Sequence, residues 1–277
     1  MKGPVTRLTG ACRCNVWQMK TPPVADLDVS ISEVAEELDR TGFVCLENVV
    51  SPQWLGEARE SVKSNLAEHG EHDFCIIRPT KDEDSPAHRF VTDPTVREIF
   101  HRLALARCPQ GVAENEEIYS VLRVLAGPER EASSFRFHYD AAVVTMLVPL
   151  FIPSAGDGMS GELVVFPNKR PFRRSAVVNV FEKVFTQNRL YRKRIMRALN
   201  RAPEKYSVRL VPGNVYLFWG YRTLHGNVRC APNTVRATLL LHYGNPHGRH
   251  PALTGAKYLR RMVAPSSEHT EATVVRL

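Results

Sequence analysis

From residue 118 onward the chain is cut into short apolar runs: "IYSVLRVL", "FRFHYD", "VVTMLVPLFI", "ELVVFP", "YSVRLV", "NVYLFW" and "VRATLLLHY". Valine, leucine, isoleucine and aromatic residues fill them, and Gly, Pro and Asn turns separate most of them. That is the pattern of a many-stranded sheet fold. The first part of the chain reads differently. Ser30 and Glu33 have the spacing of a capping box, and Ile31, Val34, Ala35 and Leu38 follow at helical spacing up to Gly42. "FVCLENVV" reads as a strand. Ser51-Pro52 opens a second helix with Leu55, Ala58, Val62 and Leu66, and Asp93-Pro94 a third with Val96, Ile99, Phe100 and Leu103. Helices first and strands afterwards predict a mostly β fold, a β-barrel or β-sandwich, with flanking helices.

The expected organisation is one domain over 1–277. It has a loose arm at 1–25, a polar loop at about 68–92 and an uninformative tail at about 251–277. At 277 residues a chain buries roughly 75% of its unfolded surface, so it needs no disulfide or metal to fold. The six cysteines, at 12, 14, 45, 75, 108 and 230, show no zinc spacing and read as reduced thiols of a cytoplasmic protein. No apolar run approaches the roughly 18 residues of a membrane span, and the first residues lack the apolar core of a secretory signal.

The net charge is +8, and it is concentrated. Residues 168–205 hold twelve Lys and Arg against two acids, Glu182 and Glu204. Within this segment, 177–200 has helical composition between two strands, so it is expected to be an insertion over one end of the barrel. A solvated basic face accounts for the charge, and so does an anionic substrate or partner. Nucleic acid is the weaker alternative, because no recognition signature accompanies Phe181, Phe185 and Tyr191.

The chemistry-bearing residues begin with His138 and Asp140. Residues two apart on a strand share a face, so both side chains can converge on one metal ion. An H-x-D alone arises often by chance. Support lies downstream in "NVYLFWGYRTLHGNVRCAPNTVRATLLLHY", where His225-Gly226 is expected in a loop and Arg236 inside an apolar strand. Two histidines and a carboxylate fill one face of a metal and leave positions for substrate and dioxygen, as in non-haem Fe(II) oxygenases. A buried arginine needs an anion, and its planar fork suits a carboxylate. Thr238, two residues on, faces the same side.

With these residues in order, the chain resembles the Fe(II)/2-oxoglutarate-dependent oxygenases and is most similar to their phytanoyl-CoA dioxygenase-like branch. The resemblance spans about residues 30 to 247. It rests on His138-Tyr139-Asp140, His225, Arg236-Ala237-Thr238, "GELVVFPN" at 161–168 and the opening "ELDRTGFVCLENVVSPQWLGEARE". It implies a double-stranded β-helix (jelly-roll, cupin-like) core. It also implies His138, Asp140 and His225 as catalytic metal ligands for Fe(II), with O2 and 2-oxoglutarate as co-substrates. Arg236 would hold the distal carboxylate of 2-oxoglutarate, with Thr238 assisting. Thr145 either reaches that carboxylate or bonds to backbone. The retained Asp140 implies oxygen chemistry (hydroxylation, desaturation or cyclisation) rather than halogenation. The resemblance implies a small-molecule or thioester substrate in biosynthetic tailoring, and the basic segment suggests that it is anionic or carrier-tethered.

Other residues carry two readings each. Arg123 holds substrate or 2-oxoglutarate, or pairs with a structural acid. Arg136 shares the ligand face and reads as a supporting contact or substrate residue. Asn227 orients its loop or touches substrate. Phe135, Phe137 and Tyr139 are expected to pack together, and Trp219 to lie in the core. His242, His247 and His250 in "HYGNPHGRH" read as a surface turn. The rivals to a small-molecule oxygenase are a nucleic-acid- or protein-modifying oxygenase and a non-catalytic binding protein on the same barrel.

Overall fold

The computed structural model describes residues 24–25, 27, 29–109, 112, 116–127, 134–170, 189–246 and 272–276. The expectations for Cys12, Cys14, most of the 1–25 arm, residues 171–188 of the basic segment, His247, His250 and the tail before 272 lie outside these. The opening helices form where their caps are written. Helix α1 (Ile31–Thr41) starts at Ser30, whose side chain accepts from the Glu33 amide, and stops at left-handed Gly42. Helix α2 (Pro52–His69) is capped by Ser51. A short helix α3 (Pro86–Thr92) leads to α4 (Pro94–Arg107), capped by Asp93.

Ten strands follow or intervene: β1 (Phe43–Leu46), β2 (Phe74–Ile77), β3 (Tyr119–Leu125), β4 (Val144–Phe151), β5 (Leu163–Phe166), β6 (Ser207–Val208), β7 (Val215–Phe218), β8 (Leu224–Asn227), β9 (Arg236–Tyr243) and β10 (Thr273–Arg276). Two further helices, α5 (Arg189–Arg201) and α6 (Pro203–Tyr206), lie between β5 and β6. The strands make a seven-stranded sheet, β1-β7-β4-β9-β3-β2-β10, and a three-stranded sheet, β6-β5-β8. Every pairing between these strands is antiparallel. This is the mostly β core with flanking helices that the sequence predicts, in the jelly-roll form that the resemblance implies.

The two-residue period of each strand divides the molecule. On the large sheet, Val144, Met146, Val148, Leu150, Ala237, Leu239 and Leu241 face the helices and join Leu38, Val62 and Phe100 in the main core. Their alternates face the small sheet, where Leu147, Tyr216 and Phe218 meet Leu163 and Val165. On β9 those inward alternates are Arg236, Thr238, Leu240 and His242, and on β8 they are His225 and Asn227. The chain therefore places its polar strand residues in the space between two sheets.

Three expectations are corrected here. The polar loop at 68–92 contains β2, a 3-10 turn at Pro79–Lys81 and α3. Four residues of β2 are too short a signal, and their partners come from β3 and β10, far along the chain. The uninformative tail contains β10, which extends the sheet edge beside β2. "FRFHYD" is no regular strand. Phe135 adopts a left-handed φ of 56°, and only an isolated bridge pairs His138 with His225.

Within the basic segment, α5 lies on the outer face of the small sheet. Ile195 and Leu199 pack there with Val164, Phe166, Leu224 and Val228, and Phe135, Phe137 and Tyr139 join that cluster at its margin. Each of these two burials contributes about 1.5–3 kcal/mol, while Lys193, Arg194 and Arg197 stay in solvent. Among the described residues no helix is long and apolar enough to cross a membrane. No disulfide joins Cys45, Cys75, Cys108 and Cys230 among the described residues.

Candidate metal centre

His225 sits on β8, not in a loop as the sequence suggests. Its strand is hard to read because the inward positions are His and Asn rather than apolar residues. His138 is pinned opposite it: the His138 amide donates to the His225 carbonyl at 2.9 Å and the reverse bond is 3.0 Å. The Asp140 amide donates to the Gly220 carbonyl at 3.0 Å. One ligating atom each from His138, Asp140 and His225 then falls within 4.8 Å of the others. The Nε2 atoms of His138 and His225 each lie 3.6 Å from an Asp140 oxygen.

The tautomers are set by the backbone. His138 Nδ1 donates to the Arg136 carbonyl at 3.0 Å, and His225 Nδ1 donates to the Thr223 carbonyl at 3.1 Å. Each Nε2 therefore turns its lone pair toward Asp140. Burial pushes His225 down to about 4, against the pull of Asp140. Burial alone would raise Asp140, but His225, His242, His138 and the Thr145 hydroxyl outweigh it and hold the carboxyl at about 2. At neutral pH the set is a carboxylate with a neutral, lone-pair-bearing His225, which suits a divalent cation. These donors, imidazole and carboxylate with no thiolate among them, fit iron(II).

The pH dependence follows from these shifts. Below pH 6.5 the unfolded chain protonates His225, while the folded protein refuses that proton until about 4. Stability of the metal-free protein should therefore fall as pH drops from 6.5 to 4, by up to about 1.4 kcal/mol per unit from this one group. Asp140 continues the loss with the same sign between 3.8 and about 2. Urea unfolding in EDTA at pH 7, 5.5 and 4.5 measures this, and His225→Asn should flatten the upper part of the slope.

Arg236 and Thr238 lie further along the inner face. Arg236 is 2% exposed. Its Nε donates to the Gly161 carbonyl at 2.9 Å and its Nη1 to Thr238 Oγ1 at 3.3 Å. Among the described residues no carboxylate forms an ion pair with it. Burial and the nearby Arg123 push its pKa down to about 10. Gly161 is required at this point, since a Cβ there would sit 2.4 Å from Arg236 Cδ at a backbone φ of +68°.

Arg123 faces Thr238 across the β3–β9 pair and donates to Asn227 Oδ1 at 3.0 Å. Burial lowers its pKa, and Arg136 adds to the effect. Asn227 also donates to the Val228 carbonyl, so it is engaged at both ends and anchors Arg123. Arg136 is exposed. The Thr145 hydroxyl bonds to a side chain rather than to backbone: it donates to Asp140 Oδ2 at 2.5 Å. Trp219 is fully buried and its Nε1 donates to Asp39.

His242 is the residue the sequence reading misplaced. It lies on β9 with Nδ1 3.6 Å from Asp140 Oδ2. The neighbouring Gly, Pro and His residues made it look like a turn. The signal that finds it is its even spacing from Arg236, which puts both on the inward face.

No known family profile matches the chain, and no curated protein matches it. Solved structures do. EctD from S. alaskensis with bound Fe is 19% identical with a TM-score of 0.53, covering 80% of this chain and 81% of its own. EctD with 2-oxoglutarate and 5-hydroxyectoine gives 17%, 0.51, 80% and 80%. SnoN, described as a non-heme alpha ketoglutarate dependent epimerase from nogalamycin biosynthesis, is 14% identical with a TM-score of 0.53, over 78% of this chain and 83% of its own. At these identities the likeness establishes the shared jelly-roll fold.

Proposed function

We propose that this chain is a non-haem Fe(II)/2-oxoglutarate-dependent oxygenase acting on an anionic small molecule or its carrier-tethered form. The observation that carries the reading is the pairing of two sites in one inter-sheet space: the His138–Asp140–His225 cluster and the buried Arg236 beside Thr238. Each alone has a structural explanation. Together they would suit a metal ion held by the first set and a carboxylate co-substrate held by the second. The EctD structures, solved with Fe and with 2-oxoglutarate, support the same assignment on this fold.

In this reading His138, Asp140 and His225 hold Fe(II) through two Nε2 atoms and a carboxylate oxygen. When bound, iron with 2-oxoglutarate supplies an oxidant, with O2 consumed and succinate and CO2 released as the substrate is oxidised. The chain's part is orientation and exclusion of water. Arg236 and Thr238 hold the distal carboxylate of 2-oxoglutarate. Arg123, braced by Asn227, and Arg136 extend the positive field and favour an acidic substrate. The order of motifs supports a place in the phytanoyl-CoA dioxygenase-like branch, with 1–277 as one oxygenase domain. The spacing of the six cysteines supports a cytoplasmic location.

The test is release of succinate from 2-oxoglutarate by the purified protein with Fe(II) and O2, alone and with pools of carboxylated and thioester-linked metabolites. Succinate formation that rises with one pool is the expected outcome. Absence of turnover in well-folded, iron-loaded protein across all pools would remove the oxygenase reading in favour of a binding protein.

A further inference from the structure

His242 and Thr145 are directly opposed in the β4–β9 register, and His242 Nδ1 lies 3.2 Å from Thr145 Oγ1. Thr145 is fully buried. Its single hydroxyl proton goes to Asp140 Oδ2 at 2.5 Å, so only lone pairs remain toward the imidazole. His242 Nδ1 must therefore carry a hydrogen. The chain of bonds then has one direction: His242 Nδ1–H to Thr145, and Thr145 O–H to Asp140. Gly220 leaves room for this arrangement, because a Cβ there would lie 2.3 Å from Thr145 Oγ1 and 2.9 Å from Asp140 Oδ2. The bond from Thr145 thereby fixes the rotation of the carboxylate, with Oδ2 3.6 Å from His225 Nε2 and Oδ1 3.6 Å from His138 Nε2. On its other side His242 faces Tyr119, its partner in the β3–β9 pair, with ring centroids 6.1 Å apart.

We propose that His242 is a positioning residue for Asp140, acting through Thr145 to fix the carboxylate in the orientation a divalent cation needs. This rests on the metal reading given above. The surroundings of a metal ligand typically change metal affinity 10–100-fold when disrupted. The geometry also makes a distinction within the amide residues. Asn places its amide nitrogen near the position of Nδ1, whereas Gln places it near Nε2.

The experiment titrates Co(II) into the full-length metal-free protein and follows its visible spectrum. His242→Asn should stay within about threefold of wild type, while His242→Gln, His242→Leu and Thr145→Val should each weaken binding by roughly tenfold or more. The His242→Leu/Thr145→Val double variant should bind no more weakly than Thr145→Val, because one residue acts through the other. Wild-type affinity in His242→Leu, multiplying losses in the double variant, or equal behaviour of Asn and Gln overturns the proposal. Urea unfolding of the same metal-free variants separates the two readings. If wild type fails to bind Co(II), the metal reading falls. Non-additive stabilities would then still support the hydrogen-bond chain, and additive ones would remove it.

Discussion

Replacing His225 with alanine should abolish the visible charge-transfer band expected when Fe(II) and 2-oxoglutarate are added anaerobically to the apo-protein. His225 supplies one of three converging donors, and it is the one locked most firmly. It is 7% exposed, bridged to His138 through both backbone bonds and held by Thr223. No described side chain is placed to substitute for it, since His242 Nδ1 is directed at Thr145. The expected loss of iron affinity is at least about 100-fold, beyond the range for changes around a ligand. Circular dichroism should show the sheet retained, because Leu224 and Val228, which face the other way, anchor β8 in its own cluster. An undiminished band in the variant would place the iron elsewhere.

Arg236→Met should separate stability from co-substrate binding. The guanidinium is buried without a carboxylate partner among the described residues, so its charge burdens the apo-protein. Filling the space with an apolar chain of similar length removes that burden and leaves the Gly161 carbonyl without its donor, two effects of opposite sign. Unfolding free energy should therefore change by no more than about 1 kcal/mol. Two charge-assisted hydrogen bonds to a carboxylate are worth roughly 3–5 kcal/mol, so the 2-oxoglutarate needed to develop the band should rise about 10²–10³-fold. Arg236→Lys should recover only part of this, since an ammonium keeps the charge and loses the fork. A variant that unfolds while keeping its 2-oxoglutarate affinity would make Arg236 a structural residue.

Much of this was legible in the sequence. Caps at Ser30, Ser51 and Asp93 are local hydrogen-bond chemistry, and the helices start there. Apolar alternation in β4 and β9 made the large sheet readable, and Arg236 stood out because an arginine in such a strand needs a partner. Three short strands were not legible, although β1, β5 and β7 are equally short and read as strands from their apolar runs. β2, β8 and β10 have four residues each, and their stability comes from neighbours that local sequence does not contain.

The sequence by itself determined the opening helices and the longer strands, the order of the motifs and the residue types capable of binding a metal, because periodicity and donor chemistry are properties of single segments. Only the tertiary structure decided that Phe135 turns out of the ladder, that His225 faces His138 from a strand, and that Thr145 lies between Asp140 and His242. Those facts depend on strand register, which is set by pairing between residues far apart in the chain, 97 positions for Thr145 and His242, and a one-residue slip would turn each of these side chains to the opposite face.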